Sequence, residues 1–116
     1  MTIERSCLTA ATLVLVLSVP AHVSAAVAVP RTPAGRVLAA MLDAFNSGDR
    51  ARVTAYVKRY QPKDPHGTVV LIDHMLDLRH ETGGFELVHI EHAERLTIDF
   101  VINERAGPRT WFTHLR

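Results

Sequence analysis

The sequence predicts an α+β domain in which three N-terminal helices pack on a curved antiparallel sheet of about three strands. Three observations lead there. Apolar residues recur at steps of three and four from Ala34 to Leu78, the spacing of one face of an α-helix. After Gly83-Gly84 the pattern changes to alternation, the spacing of a half-buried strand. Between the two, Leu78-Arg79-His80-Glu81-Thr82-Gly83-Gly84-Phe85 must end a helix and begin a strand with no loop to spare. Two successive glycines supply the left-handed backbone angles that such a junction needs. Gly48, Gly83, Gly84 and Phe85 are accordingly the predicted structural positions.

The chain opens with a charged head (Glu4, Arg5), an apolar run from Leu8 to Val19 and the small residues Val23-Ser24-Ala25. This is the composition of a secretory signal peptide covering residues 1–25, and it predicts a secreted or periplasmic protein. The apolar run is about a dozen residues long, whereas a bilayer span needs roughly 20, which disfavours a permanent anchor. Cys7 precedes the run, unlike the acylated cysteine that closes a lipoprotein signal. Residues 26–116 are then one domain without a cysteine, held by its core and not by disulfides. Net charge is +1 and no run of like charge occurs, so neither nucleic acid nor, after cleavage, a membrane is predicted as partner.

Thr32-Pro33 starts the first helix, with threonine as N-cap and proline at the first helical position. Ala34, Val37, Leu38, Met41, Leu42 and Phe45 form its apolar stripe; Arg36, Asp43 and Asn46 fall on the solvent side. Gly48 caps it and Asp49 caps the next helix, about Arg50 to Tyr60, which buries Val53, Tyr56, Val57 and Tyr60. Pro62 and Pro65 are expected to stop that helix, leaving an irregular loop through Gly67. A third helix, about Thr68 to Thr82, carries Val69, Ile72, Met75, Leu76 and Arg79 along one side. Two strands follow, Phe85 to Ala93 and Leu96 to Glu104. In the second, Leu96, Ile98, Phe100 and Ile102 face the helices while Thr97, Asp99, Val101 and Asn103 face away. A turn at Arg105-Ala106-Gly107-Pro108-Arg109 leads into a third strand from Thr110.

Thr32-Pro33-Ala34-Gly35-Arg36, then Asp43-Ala44-Phe45-Asn46-Ser47-Gly48-Asp49, then Arg79-His80-Glu81-Thr82-Gly83-Gly84-Phe85 with Leu87-Val88-His89-Ile90-Glu91, stand in a distinctive order. From about Pro30 to Arg116 the chain resembles the small NTF2-like (SnoaL-like, cystatin-like) domain attached to secreted bacterial serine hydrolases of the beta-lactamase-related and tail-specific peptidase kinds. The resemblance implies a cone closed by a fourth strand, so the chain is expected to be truncated at its C-terminus. It also implies a hydrolase domain, which is missing: no Ser-x-x-Lys or Gly-x-Ser-x-Gly motif occurs, and hydrolase activity does not carry over.

In enzymatic relatives of this fold, such as ketosteroid isomerase, the pocket between helices and sheet holds a tyrosine, an acid or a histidine. The resemblance thus makes Tyr56, Tyr60, His89 and Glu91 the pocket-lining candidates, against a plainer reading in which the tyrosines are core residues with hydroxyls at the rim. Alternation leaves the face of His89 open, because Phe85-Leu87-His89-Glu91 and Val88-Ile90 are both partly apolar. Asp99 belongs to the outer face and is unsuited as a base. Asp73, His74, Asp77, His80 and Glu81 gather on the third helix, where a solvated face is a simpler account than a metal site. No catalytic residue, metal or cofactor is predicted. The expected function is an exported, non-catalytic accessory or interaction domain, binding a hydrolase domain or a second copy through the sheet edge, or a small apolar ligand. The alternatives are a cofactor-free isomerase- or dehydratase-like enzyme and a truncated remnant of a secreted serine hydrolase.

If the leader is processed as predicted, N-terminal sequencing of the exported protein will begin at Ala26. Recovery of the uncut chain from washed membranes would contradict it.

Overall fold

The computed structural model describes residues 27–61 and 64–116. The predicted leader, Met1 to Ala25, and the helix-stopping role of Pro62 lie outside these residues. The described elements are α1 (Pro33–Ser47), α2 (Arg50–Tyr60), α3 (Pro65–Thr82), β1 (Phe85–Ala93), β2 (Ile98–Glu104) and β3 (Thr110–Leu115). The helices precede an antiparallel sheet of order β1-β2-β3, an α+β architecture. Among the described residues, no helix is long and apolar enough to cross a membrane.

Local chemistry sets the helix ends. Thr32 Oγ1 accepts from the Gly35 amide at 3.1 Å, and Gly48, at φ 63°, closes α1 by donating to the Phe45 carbonyl at 3.2 Å. Asp49 then caps α2, accepting from the Arg52 amide at 3.3 Å. The start of α3 differs from expectation. Asp64 is its N-cap, accepting from the Gly67 amide at 2.8 Å, so Pro65 opens the helix and does not end the one before. A proline at the first helical position loses no intrahelical bond, and its fixed φ suits the turn. Val69, expected on the buried stripe of α3, is 55% exposed; Ile72 and Met75 of that stripe are buried as expected, and Thr82 is buried with them.

The core joins Leu38 and Phe45 of α1, Val53, Tyr56 and Val57 of α2, Ile72 and Met75 of α3, and Phe85, Ile98, Phe100 and Ile102 of the sheet. Phe45 stacks on Phe85 with ring centroids 4.7 Å apart, and Phe85 meets Trp111 edge-on at 5.9 Å. Leu96, predicted to open the second strand on its inner face, is 61% exposed and lies outside β2. The reason is the hairpin: the Glu94 amide donates to the Thr97 carbonyl at 2.9 Å, which draws Leu96 into the turn.

The junction between α3 and β1 gathers four parts of the chain. Gly83 (φ 70°) donates to the Arg79 carbonyl at 3.0 Å, and Gly84 follows at φ 107°. The β2–β3 turn docks here, with the Ala106 amide donating to the Thr82 carbonyl at 2.8 Å and the Arg105 amide to the Gly84 carbonyl at 3.0 Å. Thr82, fully buried, donates its hydroxyl to the Leu78 carbonyl at 2.8 Å. Asn46 comes from α1. It was expected in solvent, yet its side chain is tied to β1: Oδ1 accepts from the Phe85 amide at 2.8 Å and Nδ2 donates to the Phe85 carbonyl at 2.9 Å. The amide group of Asn46 thus meets Phe85 as a neighbouring strand would.

These contacts give the expected outcome of a denaturation series. A Cβ on Gly83 would sit 2.8 Å from that of Ala106, and one on Gly84 2.9 Å from Asn46 Oδ1, both at positive φ. Gly83→Val and Gly84→Val should each cost at least ~1 kcal/mol. Asn46→Ala should cost about 1–3 kcal/mol, because it leaves the amide of a buried residue unpaired. Unchanged denaturant midpoints in all three would show that the junction is not structural.

Candidate functional site

Between the helices and the inner sheet face lies a cavity of about 290 Å³. The α1 residues Met41, Leu42 and Phe45 form one wall, and Leu71, Met75 and Leu78 of α3 form another. Phe85, Ile102 and Trp111 supply the sheet side. Polar groups enter from Tyr56, Gln61 and Thr113. The fold places them there for local reasons: Tyr56 follows Val53 on the buried face of α2, Gln61 is the C-cap of that helix, and Thr113 shares the inner face of β3 with Trp111. A wider groove of about 580 Å³ runs over α2 and α3, lined by Thr54, Lys58, Pro65, Thr68, Val69 and Ile72.

Of the four candidate pocket residues, one is in the cavity. Tyr56 is buried, and Gln61 Nε2 donates to its hydroxyl at 3.4 Å. Burial holds the Tyr56 pKa above the ordinary 10.0, the bond from Gln61 opposes this, and the neighbouring Tyr60 adds to it. Tyr60 does not line the cavity. It packs against Tyr56 at 5.5 Å, carries the Arg59 guanidinium at 5.4 Å, and borders a shallow groove with Asp43 and Arg52. Tyr60 is the last residue of α2, where it is partly buried and packs against the rim of the core.

His89 and Glu91 are also outside the cavity, and the cause is a pair of irregularities in β1. The register runs Leu87 opposite Ile102, His89 opposite Val101, Ile90 opposite Phe100 and His92 opposite Asp99, with shifts between Leu87 and His89 and between Ile90 and His92. Each extra residue reverses the alternation once. Leu87 and Ile90, three apart, therefore both pack on the core, while His89 is exposed opposite Val101. Glu91 is exposed and borders a groove with Asp99, Phe112 and His114. No alternation rule could decide the face of His89 without the bulges.

Asp99 lies on the outer face, as expected, in contact with His114. Asp73, His74, Asp77, His80 and Glu81 are exposed, and Asp73 pairs with Arg50 at 2.6 Å. Among the described residues, no group of three histidine, cysteine, aspartate or glutamate side chains is placed to hold a metal ion.

One residue beside the cavity was missed. Glu104 is buried, its side chain 3% exposed, with Oε1 2.7 Å from Arg109 Nε and 3.2 Å from the Trp111 indole nitrogen, which donates to it. It thereby fixes the ring that forms part of the cavity wall. Its parity with Ile98, Phe100 and Ile102 was the available signal, and the charge of the side chain concealed it. Because Arg109 and Trp111 share its Oε1, and it does not line the cavity, Glu104 is a positioning residue. The lining therefore offers a phenol, an amide and a hydroxyl, with no carboxylate, imidazole or cation among the described residues. Such groups can orient a neutral molecule by hydrogen bonds.

Comparison of the chain with protein-family models, with curated proteins and with solved structures gave no match.

The raised pKa of Tyr56 has a consequence for stability. The folded state holds this proton more tightly than the unfolded state, so its contribution is present in full below the unfolded value of 10.0 and is lost as pH rises through the folded value. Denaturant midpoints should fall above pH ~10, and less steeply in Tyr56→Phe. Equal alkaline slopes for the two proteins would contradict it.

Proposed function

We propose that this chain is an exported, non-catalytic binding domain of the NTF2-like kind, and that its cavity takes a small, neutral, apolar molecule. The observation that carries the reading is the lining: methionine, leucine, isoleucine, phenylalanine and tryptophan around about 290 Å³, with polar atoms only from Tyr56, Gln61 and Thr113. Apolar cavities of about 150 Å³ stay dry and bind benzene, so a space of this size suits a ligand of about two rings. A charged ligand would lose its hydration and find no partner of opposite sign. The aromatic wall of Phe45, Phe85 and Trp111 favours a flat molecule, since ring faces and edges are both offered. The leader-like N-terminus supports export, and the order of helices, glycine junction and strands supports the NTF2-like kind.

Trp111 is the only tryptophan, so its fluorescence reports on the cavity directly. Titration with naphthalene should change that emission saturably and raise the melting temperature. Leu71→Phe, which fills part of the space, should weaken binding by ~10-fold or more, whereas His89→Ala and Glu91→Ala should leave it unchanged. No turnover of esters, beta-lactams, peptides or enolisable ketones should accompany binding. A rate abolished by Tyr56→Phe would establish the enzyme reading instead, and an unresponsive Trp111 would remove the ligand.

A further inference from the structure

We propose that β3 pairs with β3 of a second copy, antiparallel, about a two-fold axis at Phe112, so that two sheets join into one. The backbone pattern is the first ground. The Glu104 amide donates to the Arg109 carbonyl at 3.0 Å, and the register continues with Asn103 opposite Thr110 through Ile98 opposite Leu115. In an antiparallel pair, bonded and non-bonded positions alternate. Trp111, Thr113 and Leu115 therefore bond to β2, and Thr110, Phe112 and His114 direct their amides and carbonyls away from it. β3 is the outermost strand of the sheet, and none of the described strands lies beyond it.

The second ground is the contrast between the two edges. β1, the opposite edge, is interrupted by two register shifts and carries Glu86 and Glu91. Bulges and charges are how edges are kept from pairing. β3 has neither: its register against β2 is unbroken, and Thr110–Leu115 holds no proline, lysine, aspartate or glutamate. The one titratable side chain in it, His114, is already in contact with Asp99.

The third ground selects the partner. Phe112 is 79% exposed on the outer face, opposite the buried Val101. A two-fold axis at this residue sets Phe112 against its own copy and Thr110 against His114 of the other chain. The arrangement makes about six backbone hydrogen bonds, an aromatic cross-strand pair and no like-charge contact. An isologous interface needs a patch that complements itself, and this strand does. Trp111 remains on the inner face, so pairing does not require the cavity to be empty or filled.

Sedimentation equilibrium of the purified protein should show a monomer–dimer equilibrium. Phe112→Lys should raise the dissociation constant by ~30-fold or more, the scale of an interface hot spot. His114→Pro removes an outward amide without touching a backbone bond to β2, though it gives up the side-chain contact with Asp99, and should weaken the dimer likewise, while circular dichroism and a cooperative melt confirm that both variants fold. Register is tested with Cys7→Ser: Phe112→Cys should cross-link under mild oxidation, since directly opposed residues lie within disulfide reach, and Thr110→Cys should not. A wild-type monomer at tens of micromolar would overturn the proposal. So would a dimer indifferent to Phe112→Lys and His114→Pro, which would place the interface elsewhere.

Discussion

The side chain of Asn46 and the backbone of Phe85, 39 residues apart in sequence, hold the helical half of this domain to its sheet through two hydrogen bonds of 2.8 and 2.9 Å. Their importance lies in what they satisfy. Phe85 is the first residue of an edge strand and is buried, so its outward amide and carbonyl have neither a further strand nor free water as partner. An asparagine amide presents an N–H donor and a carbonyl acceptor side by side, as a peptide edge does, and it closes both at once. The backbone carbonyl of Asn46 in turn accepts from Arg79 Nε at 3.2 Å, which ties the end of α1 to the last turn of α3. Around this contact Gly83 and Gly84 make room for the β2–β3 turn, and Phe45 stacks on Phe85.

The same contact shapes the cavity. With Phe45 and Phe85 locked face to face and Trp111 set edge-on by Glu104, three aromatic rings are fixed before any ligand arrives. Elsewhere on the sheet, the first bulge of β1 turns Ile90 toward the core beside Leu87 and leaves His89 outward. Titratable side chains of the strand are thereby removed from the inner face.

β3 serves both faces of the sheet. Trp111 contributes to the cavity wall and Phe112, its neighbour, stands on the other side at the open edge. Alternation along one short strand is enough to place two aromatic side chains in two different environments. Glu104 and Arg109 flank the turn that leads into this strand, and their 2.7 Å pair anchors its start to the core side.

What the sequence by itself determined was local. The caps at Thr32, Gly48, Asp49 and Gly83 and the alternation of Ile98, Phe100 and Ile102 depend on residues within a few positions of one another, so the order of three helices and three strands was legible, as was Tyr56 on the buried face of α2. Tertiary structure decided the rest. Pro65 could end one helix or begin another, and the capping bond from Gly67 to Asp64 selects the second. Asn46 is polar and near a helix end, which suits solvent equally well until Phe85 arrives beside it. His89 and Glu91 take their face from bulges that exist only when β1 is laid against β2, and Glu104 is buried because Arg109 and Trp111 meet its charge. In each case the deciding partner is supplied by the folded chain: a polar group's place depends on what satisfies it, whereas an apolar group's place follows from its periodicity.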